Sequence, residues 1–255
     1  MIQKIKVDEI FVLAERHHKK NNFIEAQKLY ESIVKIEPNH LESIFRLGSL
    51  FAQINNFDKA INFLSKVIEI EPNHSKAHNN LGIVFNSLRQ YQKAKYYFEK
   101  AIEINPKHEE AYNNLGSVFF ELGKFENAVK CYHEAIEINS NHHDAIKNIS
   151  ILFRQVSVDV FASVDRERLR KLFLLLYKRN DIEHKDIFLN AKKILLTKEN
   201  YIQLKQIVNS DKLLEKPTIN NLLNDELFLL MLQKSLVTDN LFETILTKTR
   251  HEILS

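Results

Sequence analysis

Apolar residues over the first 155 positions recur at the three-and-four spacing of amphipathic helices, and the pattern itself repeats every 34 residues. Pro38, Pro72 and Pro106 mark the period, with Ser140 at the next equivalent place. Counting back from them gives four full units, 7–40, 41–74, 75–108 and 109–142, followed by a fifth first helix at 143–155. Each unit reads as two helices joined by short polar connections. The seventh position of the units is Leu13, Leu47, Leu81 and Leu115, and the eighth is Ala14, Gly48, Gly82 and Gly116. The eleventh is His17, Phe51, Phe85 and Phe119, the twentieth is Ala26, Ala60, Ala94 and Ala128, and the twenty-fourth is Tyr30, Leu64, Phe98 and Tyr132.

Small residues at the eighth and twentieth positions let two antiparallel helices approach closely. Large residues at the seventh, eleventh and twenty-fourth fill the space beside that contact, each contributing roughly 1.5–3 kcal/mol when buried. Proline lacks an N–H and restricts the residue before it, so it helps end the second helix. One unit cannot bury its apolar face alone, whereas a stack makes a continuous core.

A 34-residue period with Leu-Gly, Ala, aromatic and Pro at these offsets resembles the tetratricopeptide-repeat (TPR) family over residues 7–142. The resemblance implies an all-α fold, a TPR α-solenoid in which helix pairs stack into a right-handed superhelix. The usual tryptophan at the fourth position is absent, with Ile10, Ile44, His78 and Tyr112 there instead, and His17 replaces an aromatic in the first unit. That unit reads as a capping-type terminal repeat. In the fifth first helix Ile146, Ile149, Ser150 and Phe153 keep the register, but no matching second helix follows.

From Val156 the register is lost, and residues 156–255 read as a helical C-terminal cap or linker domain, separate from the solenoid of residues 1–155. Helices are expected near 165–179, 184–195, 199–209, 218–234 and 239–253, broken by Arg179-Asn180-Asp181 and Asn209-Ser210-Asp211-Lys212. The apolar run Leu172-Phe173-Leu174-Leu175-Leu176-Tyr177 reads as a buried helix covering the open end of the solenoid. That run, Leu222-Leu223-Asn224-Asp225-Glu226-Leu227-Phe228-Leu229-Leu230 and Val237-Thr238-Asp239-Asn240-Leu241-Phe242-Glu243-Thr244-Ile245-Leu246-Thr247 are similar to the helical linker of bacterial TPR-containing S-adenosylmethionine-dependent methyltransferases. The resemblance implies a substrate-recruiting arm whose catalytic domain would lie beyond Ser255 or has been lost.

Composition narrows the function classes. Charged residues are 27% of the chain and the net charge is +3, with no long basic block, so nucleic acid is not an implied partner. No apolar run approaches the ~18 residues of a membrane span, and the start of the chain runs from Lys4 and Lys6 directly into Asp8-Glu9, without a signal-peptide apolar stretch. The single cysteine, Cys131, has no intrachain partner for a disulfide and reads as a small, partly buried hydrophobe. A cytoplasmic setting is expected.

Catalytic signatures are missing. The four glycines, Gly48, Gly82, Gly116 and Gly123, all sit at repeat positions, so no phosphate-cradling or dinucleotide loop is present. His133-Glu134-Ala135-Ile136-Glu137 resembles half of a zinc-protease motif and lacks the second histidine. His40, His74, His108 and His142 recur at the last position of every unit and read as solvated loop residues in a row about 10 Å apart, with a pH-sensitive edge as the alternative. Neither catalytic residues nor a cofactor or metal is expected.

The remaining candidate is a binding face. TPR resemblance places positions two, five, six, nine, twelve and thirteen of the first helices on a concave groove. Positions five and six read Asn79-Asn80, Asn113-Asn114 and Lys147-Asn148, with Arg46 at position six of the second unit. An asparagine amide carries both donor and acceptor and can pair with a peptide group. The row looks like the asparagine ladder in the TPR arm of O-linked N-acetylglucosamine transferases, though Asn-Asn-Leu-Gly is also common TPR consensus. Lys76, Ile83, Asn86, Glu110, Ser117, Phe120, Glu121 and Arg154 complete the expected groove. The function expected is a protein–protein interaction scaffold that binds an extended partner segment. Its alternatives are the arm of a larger methyltransferase-like or glycosyltransferase-like enzyme, and self-association through the concave face or a terminal repeat.

Overall fold

The computed structural model describes residues 2–161, 164–179, 183–196, 224–234 and 247. Among them the secondary structure is helical, without a strand. The helices are α1 (Ile2–Lys19), α2 (Phe23–Ile36), α3 (Leu41–Gln53), α4 (Phe57–Ile70), α5 (Ser75–Ser87), α6 (Tyr91–Ile104), α7 (Glu109–Glu121), α8 (Phe125–Ile138) and α9 (His143–Gln155). A 3₁₀ turn at Val158–Val160 precedes α10 (Arg166–Lys178), α11 (His184–Leu196) and α12 (Glu226–Lys234). The helices α1 to α6 form tandem pairs, and the 34-residue register continues through α7 and α8, an α-solenoid. The C-terminal helices expected at 165–179 and 184–195 correspond to α10 and α11. Of the one at 218–234 the described part is α12. Those at 199–209 and 239–253 lie outside the described residues, Thr247 excepted.

The chain divides into two compact units, Met1–Gly123 with Glu137–Ser140, and Lys124–Ile136 with Asn141–Ser255. In the first, α1 packs on α2, α3 on α4 and α5 on α6, and each pair meets the next through α2 on α3, α4 on α5 and α6 on α7. The small residues act as the period predicts. Ala26, Ala60 and Ala94 are fully buried. A Cβ built on Gly48 would fall 2.7 Å from Leu64 Cγ, and one on Gly82 would fall 2.5 Å from Phe98 Cε1. The eighth position is therefore small because the twenty-fourth presses against it.

The first repeat departs from this pattern. Positions three, seven and ten are buried in the later units, as Ser43/Leu47/Leu50, Ala77/Leu81/Val84 and Ala111/Leu115/Val118. In α1 the same positions are Glu9, Leu13 and Arg16, and all three are exposed. Leu13, expected in the core, is 41% exposed. The stripe at positions three, seven and ten is the one buried where a first helix meets the preceding second helix. On α1 this face carries Leu13 between the charged Glu9 and Arg16, side chains that suit water.

Turns inside each pair close with a residue of positive φ: Asn21 (59°), Asn55 (59°), Arg89 (56°) and Gly123 (68°). The following N–H reaches back five residues, from Asn22 to His17 O (2.9 Å), Asn56 to Phe51 O (2.8 Å) and Gln90 to Phe85 O (2.8 Å). This left-handed closure satisfies carbonyls at the end of each first helix.

The row of histidines corrects the expectation of solvated loop residues. Nδ1 of His40, His74 and His142 accepts from the backbone N–H of Ser43 (3.2 Å), Ala77 (3.1 Å) and Ala145 (3.3 Å), capping α3, α5 and α9. A helix N-terminus carries unpaired N–H groups, and the imidazole nitrogen fills the place usually taken by a serine or asparagine oxygen. His108 differs: it leaves α7 without a side-chain cap and is only 7% exposed.

In the second unit the apolar run of α10 is buried at Leu172, Phe173, Leu176 and Tyr177. Phe173 stacks on Phe153 of α9 (centroids 4.5 Å apart), and Phe161 meets Phe153 edge-on. Asn190 of α11 donates to the carbonyls of Phe153 and Val156, ending α9. Arg170 of α10 and Asp225, just before α12, form a buried ion pair at 2.6 Å, and Asp225 also accepts from Phe228 N–H.

Candidate functional site

Because α3 and α5 bury their third, seventh, eighth, tenth and eleventh positions, their second, sixth and ninth positions stay at the surface, with the largely buried fifth beside them. Together with the start of α7 these border a cleft of about 770 Å³. Of the residues expected at the groove, Arg46, Lys76, Asn79, Asn80 and Glu110 line it. A smaller cleft of about 330 Å³ beside α1 shares Arg46, Ser49 and Gln53 with it.

The asparagines at the fifth and sixth positions have different roles. Asn79 and Asn113 are 6% and 7% exposed, so the fifth position is largely buried. Asn80 and Asn114, at the sixth, are half-buried and donate to the preceding repeat. Asn80 Nδ2 reaches Ser49 Oγ at 2.8 Å, and Asn114 Nδ2 reaches Asn79 Oδ1 at 3.1 Å. Ser49 Oγ itself donates to Phe45 O at 2.9 Å. Its single proton is thereby used, so it can only accept from Asn80, which fixes the orientation of that amide.

Charge in the two clefts is nearly balanced. Arg46 is held between Glu15 (2.8 Å) and Glu42 (3.1 Å). Counting both clefts, Lys19, Arg46 and Lys76 face Glu15, Glu42, Glu109 and Glu110. His108 faces the larger cleft from its floor, with Nδ1 2.7 Å from Ser75 Oγ and Nε2 3.7 Å from Glu110. Burial holds its imidazole below the usual histidine range, with the neighbouring Glu110 and Glu109 opposing that shift.

The other expected groove residues lie outside the cleft linings. Ile83 is 39% exposed, Asn86 is half-buried with its Oδ1 enclosed, and Phe120 is half-buried. Ser117 donates to Asn113 O, and Glu121 accepts from Tyr91 OH. Lys147, Asn148 and Arg154 belong to α9 in the second unit, where Lys147 and Arg154 are exposed and Asn148 half-buried. The sequence reading missed Glu42, Phe45, Ser49 and Gln53, although they stand at positions two, five, nine and thirteen of the second unit. Extending the period to every unit would have found them. His74, Asn105 and His108 come from the loops between units, which that set of first-helix positions left out.

The other sequence candidates have structural surroundings. His133 is buried in α8, and Glu134 lies 3.6 Å from Arg168. Cys131 is buried. Among the described residues, no group of three or more His, Cys, Asp or Glu side chains could hold a metal, and no helix is long and apolar enough to cross a membrane.

Comparison with known proteins follows the same boundaries. The tetratricopeptide repeat family matches residues 17–81 and, in single repeats, 75–108 and 109–142. Residues 17–142 are tetratricopeptide repeats. No curated relative matches the sequence. Among solved structures, a crystal structure of MamA shares 23% identity at a TM-score of 0.53, covering 65% of this chain and 92% of that one. A MamA fragment, 41-end, from Desulfovibrio magneticus RS-1 shares 18% identity at a TM-score of 0.55, covering 69% and 98%. These likenesses show the shared α-solenoid fold.

Proposed function

We propose that the first unit is a protein-interaction scaffold that binds an extended segment of a partner protein along the cleft lined by Arg46, Lys76, Asn79, Asn80 and Glu110. The observation that carries this reading is the pair of half-buried side-chain amides, Asn80 and Asn114, one repeat apart, set beside paired and nearly balanced charges. Such a surface has little to hold a compact charged metabolite. It has regularly spaced polar groups for a chain that itself repeats, a peptide backbone. The tetratricopeptide repeats of residues 17–142 support a protein or peptide partner.

The test is binding of a synthetic 12-residue peptide library to the wild-type chain and to an Asn80→Ala/Asn114→Ala variant, with circular dichroism to check that both fold alike. Peptides that bind the wild type and lose roughly thirtyfold in the variant support the reading, since one hydrogen bond is worth roughly 1 kcal/mol and two are removed. Equal binding to both chains moves the site off this face.

A further inference from the structure

The amide row has a polarity that a row of freely rotating asparagines would lack. Asn80 must turn its NH₂ toward Ser49, because the Ser49 hydroxyl proton is already given to Phe45 O. In the next repeat Ile83 replaces serine at the ninth position, and Asn114 gives its NH₂ to Asn79 Oδ1 instead. Both sixth-position amides thus direct a donor back into the preceding repeat. Neither Asn80 Oδ1 nor Asn114 Oδ1 has a hydrogen-bond partner among the described residues, and neither is enclosed. The third and fourth repeats therefore each present one side-chain carbonyl acceptor, Asn80 Oδ1 and Asn114 Oδ1.

Resting on the groove reading above, we propose that this face selects a partner segment by two of its backbone N–H groups, one meeting Asn80 and one meeting Asn114, with the segment in a polyproline II conformation. Spacing supplies the second half of the argument. First helices of successive repeats approach one another in this unit, and packed helices lie about 8–10 Å apart. Three residues of polyproline II span roughly 9 Å and make one full turn, so every third N–H points the same way. A β-strand directs alternate N–H groups to opposite sides, so its equivalent donors recur every ~7 Å, out of step with the repeats. Polyproline II makes no internal hydrogen bonds, and each N–H stays available to the row. Proline has no N–H, so it is excluded at every third residue and tolerated between.

The experiment takes the tightest 12-residue peptide from the library and replaces each backbone amide in turn by an ester, which removes N–H and keeps the carbonyl. A parallel proline scan follows. The expected result is a loss of roughly fivefold at two positions three apart and little change between them, for both scans. The protein side repeats the ester scan on Asn80→Ala, where the loss at the residue that meets Asn80 should vanish while the loss three residues away persists. A flat ester scan, losses at alternate residues, or an ester scan unchanged by Asn80→Ala overturn the proposal while the groove reading stands. If no peptide in the library binds the wild-type chain, both readings fall together.

Discussion

Gly82 lies against the ring of Phe98 so closely that a methyl group at residue 82 would sit 2.5 Å from Cε1 and 2.6 Å from Cδ1. Phe98 is fully buried and has nowhere to swing. Gly82→Ala would gain about 1 kcal/mol of helix propensity and lose about 1–3 kcal/mol to overpacking. The expected net is a destabilisation of about 1 kcal/mol in urea denaturation, largely relieved in Gly82→Ala/Phe98→Leu. Gly48→Ala meets Leu64, a more adaptable side chain, and should cost less.

Arg89 holds a left-handed backbone (φ 56°) at the turn where Gly123 stands in the following unit. A non-glycine residue there is strained by roughly 1–2 kcal/mol. Arg89 is exposed, and its side chain makes no ion pair among the described residues, so little is lost on replacement. Arg89→Gly should stabilise the protein by about 1 kcal/mol, the turn strain being partly offset by glycine's greater freedom when unfolded. Thermal unfolding should show a higher midpoint, and Gly123→Ala should lower it.

The caps predict a graded series at His74. His74→Ala removes the acceptor for Ala77 N–H and should cost about 1 kcal/mol. His74→Asn supplies an amide oxygen in its place and should retain most of that stability. A loss of equal size in both variants would show that the Phe45–His74 ring contact, with centroids 4.8 Å apart, matters more than the cap.

His108 predicts a pH dependence. Burial lowers its folded-state pKa below the unfolded value, so below about pH 6.5 the unfolded chain takes up a proton that the folded chain refuses. Its contribution is fully present above that pH and is lost as the pH falls through the folded-state value. Urea midpoints measured from pH 8 to pH 5 should fall, and His108→Gln, which can still meet Ser75, should flatten part of that fall.

Arg170 and Asp225 predict an asymmetry between breaking and replacing a buried pair. Asp225→Ala strands the guanidinium and removes the acceptor for Phe228 N–H, at an expected cost of about 3–5 kcal/mol. Arg170→Met/Asp225→Leu leaves no charge behind and should cost clearly less in the same denaturation experiment.

The fold was legible because its determinants are local and repeated. Leu-Gly at positions seven and eight, and alanine at twenty, each have one steric purpose in every unit, so four imperfect copies reinforce one another. Leu13 escaped that reading because burial at the seventh position depends on a neighbouring repeat, which the residue type alone does not report. The capping histidines escaped it because imidazole is an uncommon cap, and Pro-Asn-His looks like an ordinary loop. His108 differs from the other three through Ser75, 33 residues away, a contact that no local pattern contains. At the groove the asparagine positions were legible. The partner of each amide was not, because it depends on whether serine or isoleucine occupies the ninth position one repeat earlier. After Val156 no period averages out ambiguity, and helices could be read there only one at a time.

The stripe at positions three, seven and ten gives every inner repeat the same docking surface toward its predecessor. Ala77, Leu81 and Val84 are chemically close to Ala111, Leu115 and Val118. Residues 75–108 could therefore be excised or duplicated in frame with each new junction resembling an existing one. The acceptor row would shorten or lengthen by one amide at each such event. A lineage carrying this chain could change the length of partner it reads in whole steps, by unequal recombination, without first inventing a new interface.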